Sequence, residues 1–172
     1  MRRSSRKRLF AALAAAAAVL IAVALAFSRS GRELRWWSSS VGGKGYRVID
    51  GDTIRLADLG PVRYIGVDAP ERGRPFYGEA RRYNAELLSR GEPSLRFGRG
   101  RYDRYGRTLA YVYVRTDAGR TVFVNEELVR AGWAKALEVP PNTGFARTFR
   151  RAEEEARRGG RGMWAGGEAG GK

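Results

Sequence analysis

The chain of 172 residues contains no cysteine and no histidine. The first absence excludes disulfides, thiolate nucleophiles and zinc–thiolate sites. The second removes the commonest general base, the Ser–His triads and nearly every transition-metal site. Acid–base chemistry must then fall to a carboxylate, Lys, Arg or Tyr. Any metal must accept oxygen ligands, which points to Ca²⁺, Mg²⁺ or Mn²⁺. Acids are also scarce, 18 Asp and Glu against 33 Lys and Arg, for a formal net charge of +15. That balance favours polyanionic partners, either nucleic acid or an anionic membrane surface, without choosing between them. The length leaves room for one ordinary domain and a tail or two.

The N-terminus is separate in character. Arg2, Arg3, Arg6, Lys7 and Arg8 precede a run from Phe10 to Phe27, 18 residues without a polar side chain. A basic flank, an apolar run and small residues describe an export signal, with Ala24-Leu25-Ala26 as a cleavage site before Phe27. The same run is close to the roughly 20 residues needed to span a bilayer as an uncleaved anchor. Both readings stay open for residues 1–27. In both, the charge asymmetry keeps the N-terminus in the cytoplasm and puts the remainder outside. Residues 28–44 read as a Ser, Gly and Arg-rich linker, residues 45–165 as the folded domain and residues 166–172 as a polar tail.

Within the domain, β-branched and aromatic runs bounded by Gly and Pro predict strands at 46–49, 53–56, 62–67, 95–97, 108–114 and 121–124. Apolar spacing predicts a helix over 76–89, with Ala80, Tyr83, Leu87 and Leu88 on one face, and a last helix over 144–158. Asn125 is placed to cap a short helix over 126–132. The class is α+β, mainly β. Short antiparallel strands of this kind close most easily as a small Greek-key barrel, of which the OB fold is one.

Four of the scarce acids lie close together. Asp50 and Asp52 flank Gly51 at the end of one strand, and Asp68 and Glu71 flank Ala69-Pro70 at the end of the next. If these strands pair, the acidic ends meet and can bind a hard cation through carboxylates, carbonyls and water. Aspartates after strands also simply make turns. For Asp50 the two readings are balanced, and for Asp52 and Asp68 together ligation is favoured. Arg63 sits inside an apolar strand, and Arg107 at the entry to another. A guanidinium grips a phosphate through parallel hydrogen bonds and stays charged. With histidine absent, Glu71 is the natural group to activate water.

Three motifs carry a resemblance. They are Val48-Ile-Asp-Gly-Asp-Thr53, Arg63-x4-Val67-Asp-Ala-Pro-Glu71 and Asp103-Arg-Tyr-Gly-Arg107-Thr-Leu-Ala-Tyr-Val-Tyr113. Together with Val124 to Ala134 and Met163-Trp164, they resemble the staphylococcal nuclease (thermonuclease) family. The resemblance implies a five-stranded OB barrel with three helices. It implies Ca²⁺-dependent hydrolysis of DNA and RNA, with little sequence specificity, to products ending in 3′-phosphate. By that resemblance Asp52 and Asp68 fall on the calcium carboxylates. Ala69 stands where the family usually has threonine and gives a backbone carbonyl. Glu71 falls on the general base, Arg63 and Arg107 on the phosphate-gripping arginines, and Asp50 on a supporting neighbour. Arg104 and Tyr105 match positions that contact a nucleotide phosphate. The loop after Glu71 is short for the family, and Leu137-Glu138-Val139 lacks the tyrosines that flank the base there.

The expectation is an exported, monomeric Ca²⁺-dependent endonuclease, membrane-anchored if the N-terminal segment is uncleaved. The alternatives are a non-catalytic OB-fold nucleic-acid-binding module and a tethered domain attracted to anionic lipid or cell wall.

Overall fold

The computed structural model describes residues 45–165 and, in backbone only, the strand β1 (Ser39–Ser40). The expected signal or anchor segment 1–27, most of the linker and the tail 166–172 lie outside the described residues. Among the described residues no helix is long and apolar enough to cross a membrane.

The strands that follow are β2 (Tyr46–Val48), β3 (Thr53–Leu56), β4 (Gly60–Tyr64) and β5 (Val67–Asp68). Helix α1 (Tyr77–Ser89) leads to β6 (Gly91–Tyr102), β7 (Thr108–Thr116) and β8 (Thr121–Phe123). Helix α2 (Val124–Arg130), strand β9 (Lys135–Ala136), helix α3 (Ala146–Arg158) and a 3₁₀ turn over Gly162–Trp164 complete the order. One sheet of seven strands runs β1-β6-β7-β4-β3-β2, with β8 on β7, and β5 and β9 pair separately.

Mixed α+β class, dominant β-structure and three helices agree with the sequence reading. The closed five-stranded barrel does not. Among the described residues no ladder joins β2 to β6, and β1 takes the edge of β6 at Ser94 and Leu95. Ser39 and Ser40, expected in the linker, therefore belong to the sheet.

The expected strand 62–67 is also broken in two. Gly66 has φ +80°, and a Cβ there would lie 2.2 Å from the Phe149 ring. The chain turns at Ile65-Gly66, and Val67–Asp68 leaves the main sheet to pair with Lys135–Ala136. Helix α1 closes at Arg90, and Gly91 opens β6. The expected strand 95–97 is a twelve-residue strand with a register break between Phe97 and Tyr102.

The core lies between the sheet and the helices. Ile54, Leu56, Val62, Val112, Val114, Leu87, Leu88 and Leu128 are fully buried. Strand β7 is buried on both faces, because Tyr111 and Tyr113 on its other side join Phe123, Phe145 and Phe149 in an aromatic cluster. Tyr113 and Phe123 stack across the β7–β8 ladder with ring centroids 4.5 Å apart. Such pairs add to simple area burial by about 0.5–1.5 kcal/mol.

Asn125 does not cap α2. The helix begins one residue earlier, and the Asn125 side chain is fully buried. Its Oδ1 accepts the Val112 N–H at 2.8 Å, and its Nδ2 donates to the Ile65 carbonyl at 2.8 Å. It thus serves the two backbone groups left over where β4 ends beside β7. Asn125→Ala should leave both unpaired and cost roughly 2–6 kcal/mol, at about 1–3 kcal/mol for each buried orphan. Urea denaturation checks this, and a loss below about 0.5 kcal/mol would contradict the bridging role.

Candidate active site

The acidic strand ends do meet, but around an arginine. The β3–β4 ladder pairs Thr53 with Arg63, so the residue before Thr53 lies beside Arg63. Arg63 Nη1 stands 2.9 Å from Asp52 Oδ2, and its Nη2 donates to Asp68 Oδ1 at 2.9 Å. Nη1 also donates to the Val67 carbonyl at 2.7 Å. Asp52 is buried, and its Oδ2 accepts the Ala69 N–H at 2.6 Å, while Thr53 Oγ1 donates to its Oδ1 at 3.2 Å. Asp50 accepts the Asp52 N–H at 3.1 Å and so shapes the turn that presents Asp52.

Burial pushes the Asp52 carboxyl up to about 7; Arg63 and the Ala69 N–H pull it down without cancelling that, and the charge of Asp50 adds to the rise. A carboxylate in such a place stays ionised only with strong cationic support.

The two arginines come together through a parallel pairing. Strand β4 runs alongside β7 with Arg63 opposite Leu109 and Tyr64 opposite Ala110. Arg107 precedes Leu109 by two residues, so strand alternation puts it on the side of the sheet that carries Arg63. Both line one cleft of about 510 Å³, with Arg104, Tyr105, Tyr102, Leu137, Val139 and Pro141 also in its wall. Tyr102, Tyr105, Leu137 and Val139 are exposed there. Arg107 is held by Asp103: its Nε donates to Oδ2 at 2.6 Å, and its backbone N–H to Oδ1 at 2.9 Å. Arg104 and Arg107 both approach the Tyr105 ring, at 4.8 and 5.5 Å from its centroid.

Glu71 stands apart. It is exposed, and among the described residues nothing holds its side chain. Its carbonyl accepts the Arg74 N–H at 2.9 Å, and Tyr77 N–H donates to the Arg74 carbonyl at 3.3 Å. The loop ends at Phe76, a non-glycine residue at φ +67°. That backbone state costs a bulky side chain about 1–3 kcal/mol and persists only where surroundings impose it. The helix expected from Phe76 accordingly begins at Tyr77.

The donor set suits a hard cation. Asp52 and Asp68 each reach the same guanidinium. Among the described residues no group of three or more acidic side chains is placed to hold an ion. A cation here would therefore take two carboxylates and complete its shell with carbonyl oxygen and water, as hard divalent ions do.

Three polar residues of this region carry roles that the sequence reading did not assign. Asn84 is fully buried, accepts the Tyr64 hydroxyl at 3.0 Å and donates to the Asp50 carbonyl at 3.0 Å. Its position on the apolar stripe of α1, where Tyr83 was expected, was the available signal. Thr53 supports Asp52. Asp103 orients Arg107, and the signal for it was an Asp four residues ahead of an Arg across a Gly turn.

Burial of Asp103 works against its ionised form, but the hydrogen bonds from Arg107 and from the Arg107 and Tyr105 N–H groups outweigh it. They hold its carboxyl below the ordinary 3.8. A depressed carboxyl contributes stability above its unfolded value and loses it as pH falls through the folded one. Wild type should therefore lose stability as pH drops below about 3.8, and Asp103→Asn should remove that part of the slope. Thermal melts from pH 5 to pH 2 on both proteins check it.

The sequence model of the family described as "Staphylococcal nuclease homologue" matches residues 61–166. That range includes Arg63, Asp68, Ala69, Glu71, Arg104, Tyr105 and Arg107 and leaves out Asp50 and Asp52. The chain is 42% identical over 130 residues to Endonuclease YncB of Bacillus subtilis, covering 69% of this chain and 59% of that protein. It is 37% identical over 139 residues to Thermonuclease of Staphylococcus intermedius, covering 74% and 80%. It is 35% identical over 161 residues to Micrococcal nuclease of Shigella flexneri, covering 90% and 87%. Against YncB the chain thus spans less than two thirds of the relative's length, and against the prophage endonuclease YokF of Bacillus subtilis only 40%. A family match over more than half of the chain, and a relative more than one-third identical across four-fifths of its own length, give one conclusion: the chain belongs to the staphylococcal nuclease family.

Proposed function

We propose that the chain is a Ca²⁺-dependent endonuclease that hydrolyses DNA and RNA phosphodiesters with little sequence specificity, leaving 3′-phosphate ends. The observation that carries this reading is the convergence at one place of Asp52, Asp68 and Arg63, with Arg107 on the same side of the parallel β4–β7 pair. Neither a binding module nor a lipid-attracted domain needs that set. The nuclease names of the relatives support it.

Asp52, Asp68 and the Ala69 backbone carbonyl would hold the Ca²⁺, which when bound neutralises negative charge on the transferring phosphoryl group. Glu71, projecting into solvent three residues beyond Asp68, accepts a proton from water. The water oxygen bonds to phosphorus in line, and the bond from phosphorus to the 5′ oxygen breaks. The departing oxygen leaves as the alcohol with a proton drawn from the surrounding water. Arg63 and Arg107 donate to the equatorial oxygens and stabilise the charge that develops there. Asp103 fixes the approach of Arg107. Arg104 and Tyr105 engage a neighbouring phosphate. The basic surface brings in the polyanion, with a strong dependence on salt.

The same reading includes export, as an anchored or a cleaved protein, resting on the basic flank and apolar run of residues 2–27. Outside the cell millimolar calcium fills weak sites.

The test is cleavage of plasmid, single-stranded DNA and RNA by the full chain with Ca²⁺ or with EDTA. Wild type should cleave only with Ca²⁺. Glu71→Ala should lose at least about 100-fold in kcat, the usual scale of general-base catalysis. No cleavage by wild type, or undiminished cleavage by Glu71→Ala, overturns the mechanism. Binding that persists in EDTA with no cleavage under any condition favours the non-catalytic module, for which the exposed aromatics of the basic cleft would suffice.

A further inference from the structure

The loop that carries Glu71 is fastened at its end by an aromatic contact. Residues 71–76 are all exposed, so nothing in the loop is anchored by burial. Its start is fixed by the buried Ala69, whose N–H is bound to Asp52, and by the pairing of Asp68 with Lys135. Its end is Phe76, whose ring packs on Trp133 with centroids 6.3 Å apart and planes at 47°. Trp133 lies two residues before Lys135. The loop therefore leaves the short β5–β9 ladder at Asp68 and returns to the same segment at Trp133, forming a closed ring of chain. Two backbone hydrogen bonds, Arg74 N–H to Glu71 and Tyr77 N–H to Arg74, stiffen the path between.

The backbone at Phe76 is in a disfavoured state. Its φ of +67° lies in the left-handed region that a bulky residue adopts only under constraint. Glycine would adopt it freely, yet the sequence has phenylalanine. A side chain kept at an unfavourable backbone position while 40% exposed is there for its contact, and the ring contact it makes is with Trp133.

We propose that Phe76 is a positioning residue. Its clasp on Trp133 closes the short loop after Asp68 and holds the Glu71 carboxylate at a fixed distance from the Asp52–Arg63–Asp68 cluster. In this chain, burial and side-chain hydrogen bonds do nothing to hold Glu71, so the loop closure is what positions it. The inference rests on Glu71 being the base.

Phe76→Gly removes the ring at a backbone position that glycine adopts without strain, so a loss seen there does not come from added strain. Amide hydrogen exchange on the full chain gives a readout that needs no activity. In wild type the Arg74 and Tyr77 amides should be protected. In Phe76→Gly they should exchange faster by about tenfold or more, as local opening loses its fastening, with the β6–β7 amides unchanged. In cleavage assays kcat should fall by about tenfold or more at nearly constant KM, since misplacing a catalytic group by an ångström has costs of that order. Phe76→Tyr, which keeps the ring, should restore both. Unchanged exchange at Arg74 in Phe76→Gly overturns the clasp. Faster exchange with wild-type kcat overturns the positioning role. A fall in kcat matched by a lower melting temperature and a raised KM overturns it as well, because that pattern is general destabilisation. If wild type itself does not cleave, the nuclease reading fails while the exchange result still decides the clasp.

Discussion

The parallel pairing of β4 with β7 is the constraint on which the rest of the site depends. It aligns Arg63 with Leu109 and so brings Arg107, far along the chain, to the same side of the sheet. It also leaves unpaired backbone groups where β4 stops. Asn125 serves these, tying α2 to both strands through two buried hydrogen bonds. The turn at Gly66 then sends Val67 and Asp68 away from the main sheet, and the tight approach of Phe149 leaves no room for a side chain at that turn. Asp68 reaches Arg63 because the strand breaks there.

Within this frame charge is arranged in an economical way. One guanidinium bridges two carboxylates, and one carboxylate orients the second guanidinium. Burial of Asp52 makes its negative charge costly, and the surrounding cation and N–H donors offset that only in part. Buried polar groups elsewhere follow the same logic. Asn84 links the Tyr64 hydroxyl to the Asp50 carbonyl, so the turn bearing Asp50 and Asp52 is braced from α1. The Glu71 loop is the exception, because residues 71–76 are exposed and its end packs through Phe76 on Trp133.

Much of the fold was legible from local pattern. Strands at 53–56 and 108–114 and helices near 76–89 and 144–158 followed from β-branched content and helical periodicity, and their ends moved by only a few residues. The errors share a cause. Gly66 breaks a run that reads as continuous strand, since only the position of Phe149 makes the turn necessary. Asn125 looks like a helix cap, because side chains that cap and side chains that bridge use the same atoms. Barrel closure was expected from strand count, but it depends on which edge β1 occupies. In the site, the acids and arginines were legible by residue type and spacing, whereas the partners Asp103, Thr53 and Asn84 were not assigned. Their roles are set by what lies opposite them in space.

The sequence by itself determined the kind of chemistry. Without histidine or cysteine, a base must be a carboxylate, Lys, Arg or Tyr, and only oxygen can hold a metal. The spacing of Asp50, Asp52, Asp68, Glu71, Arg63 and Arg107 carried the family. Tertiary structure alone decided which of these meet. Asp52 and Asp68 converge on Arg63, Arg107 lines one cleft with Arg63, and Glu71 stands apart on its exposed loop. The reason is register: a pairing shifted by one residue turns every side chain to the opposite face. That register is chosen by long-range burial and hydrogen bonding, which no local stretch of sequence contains.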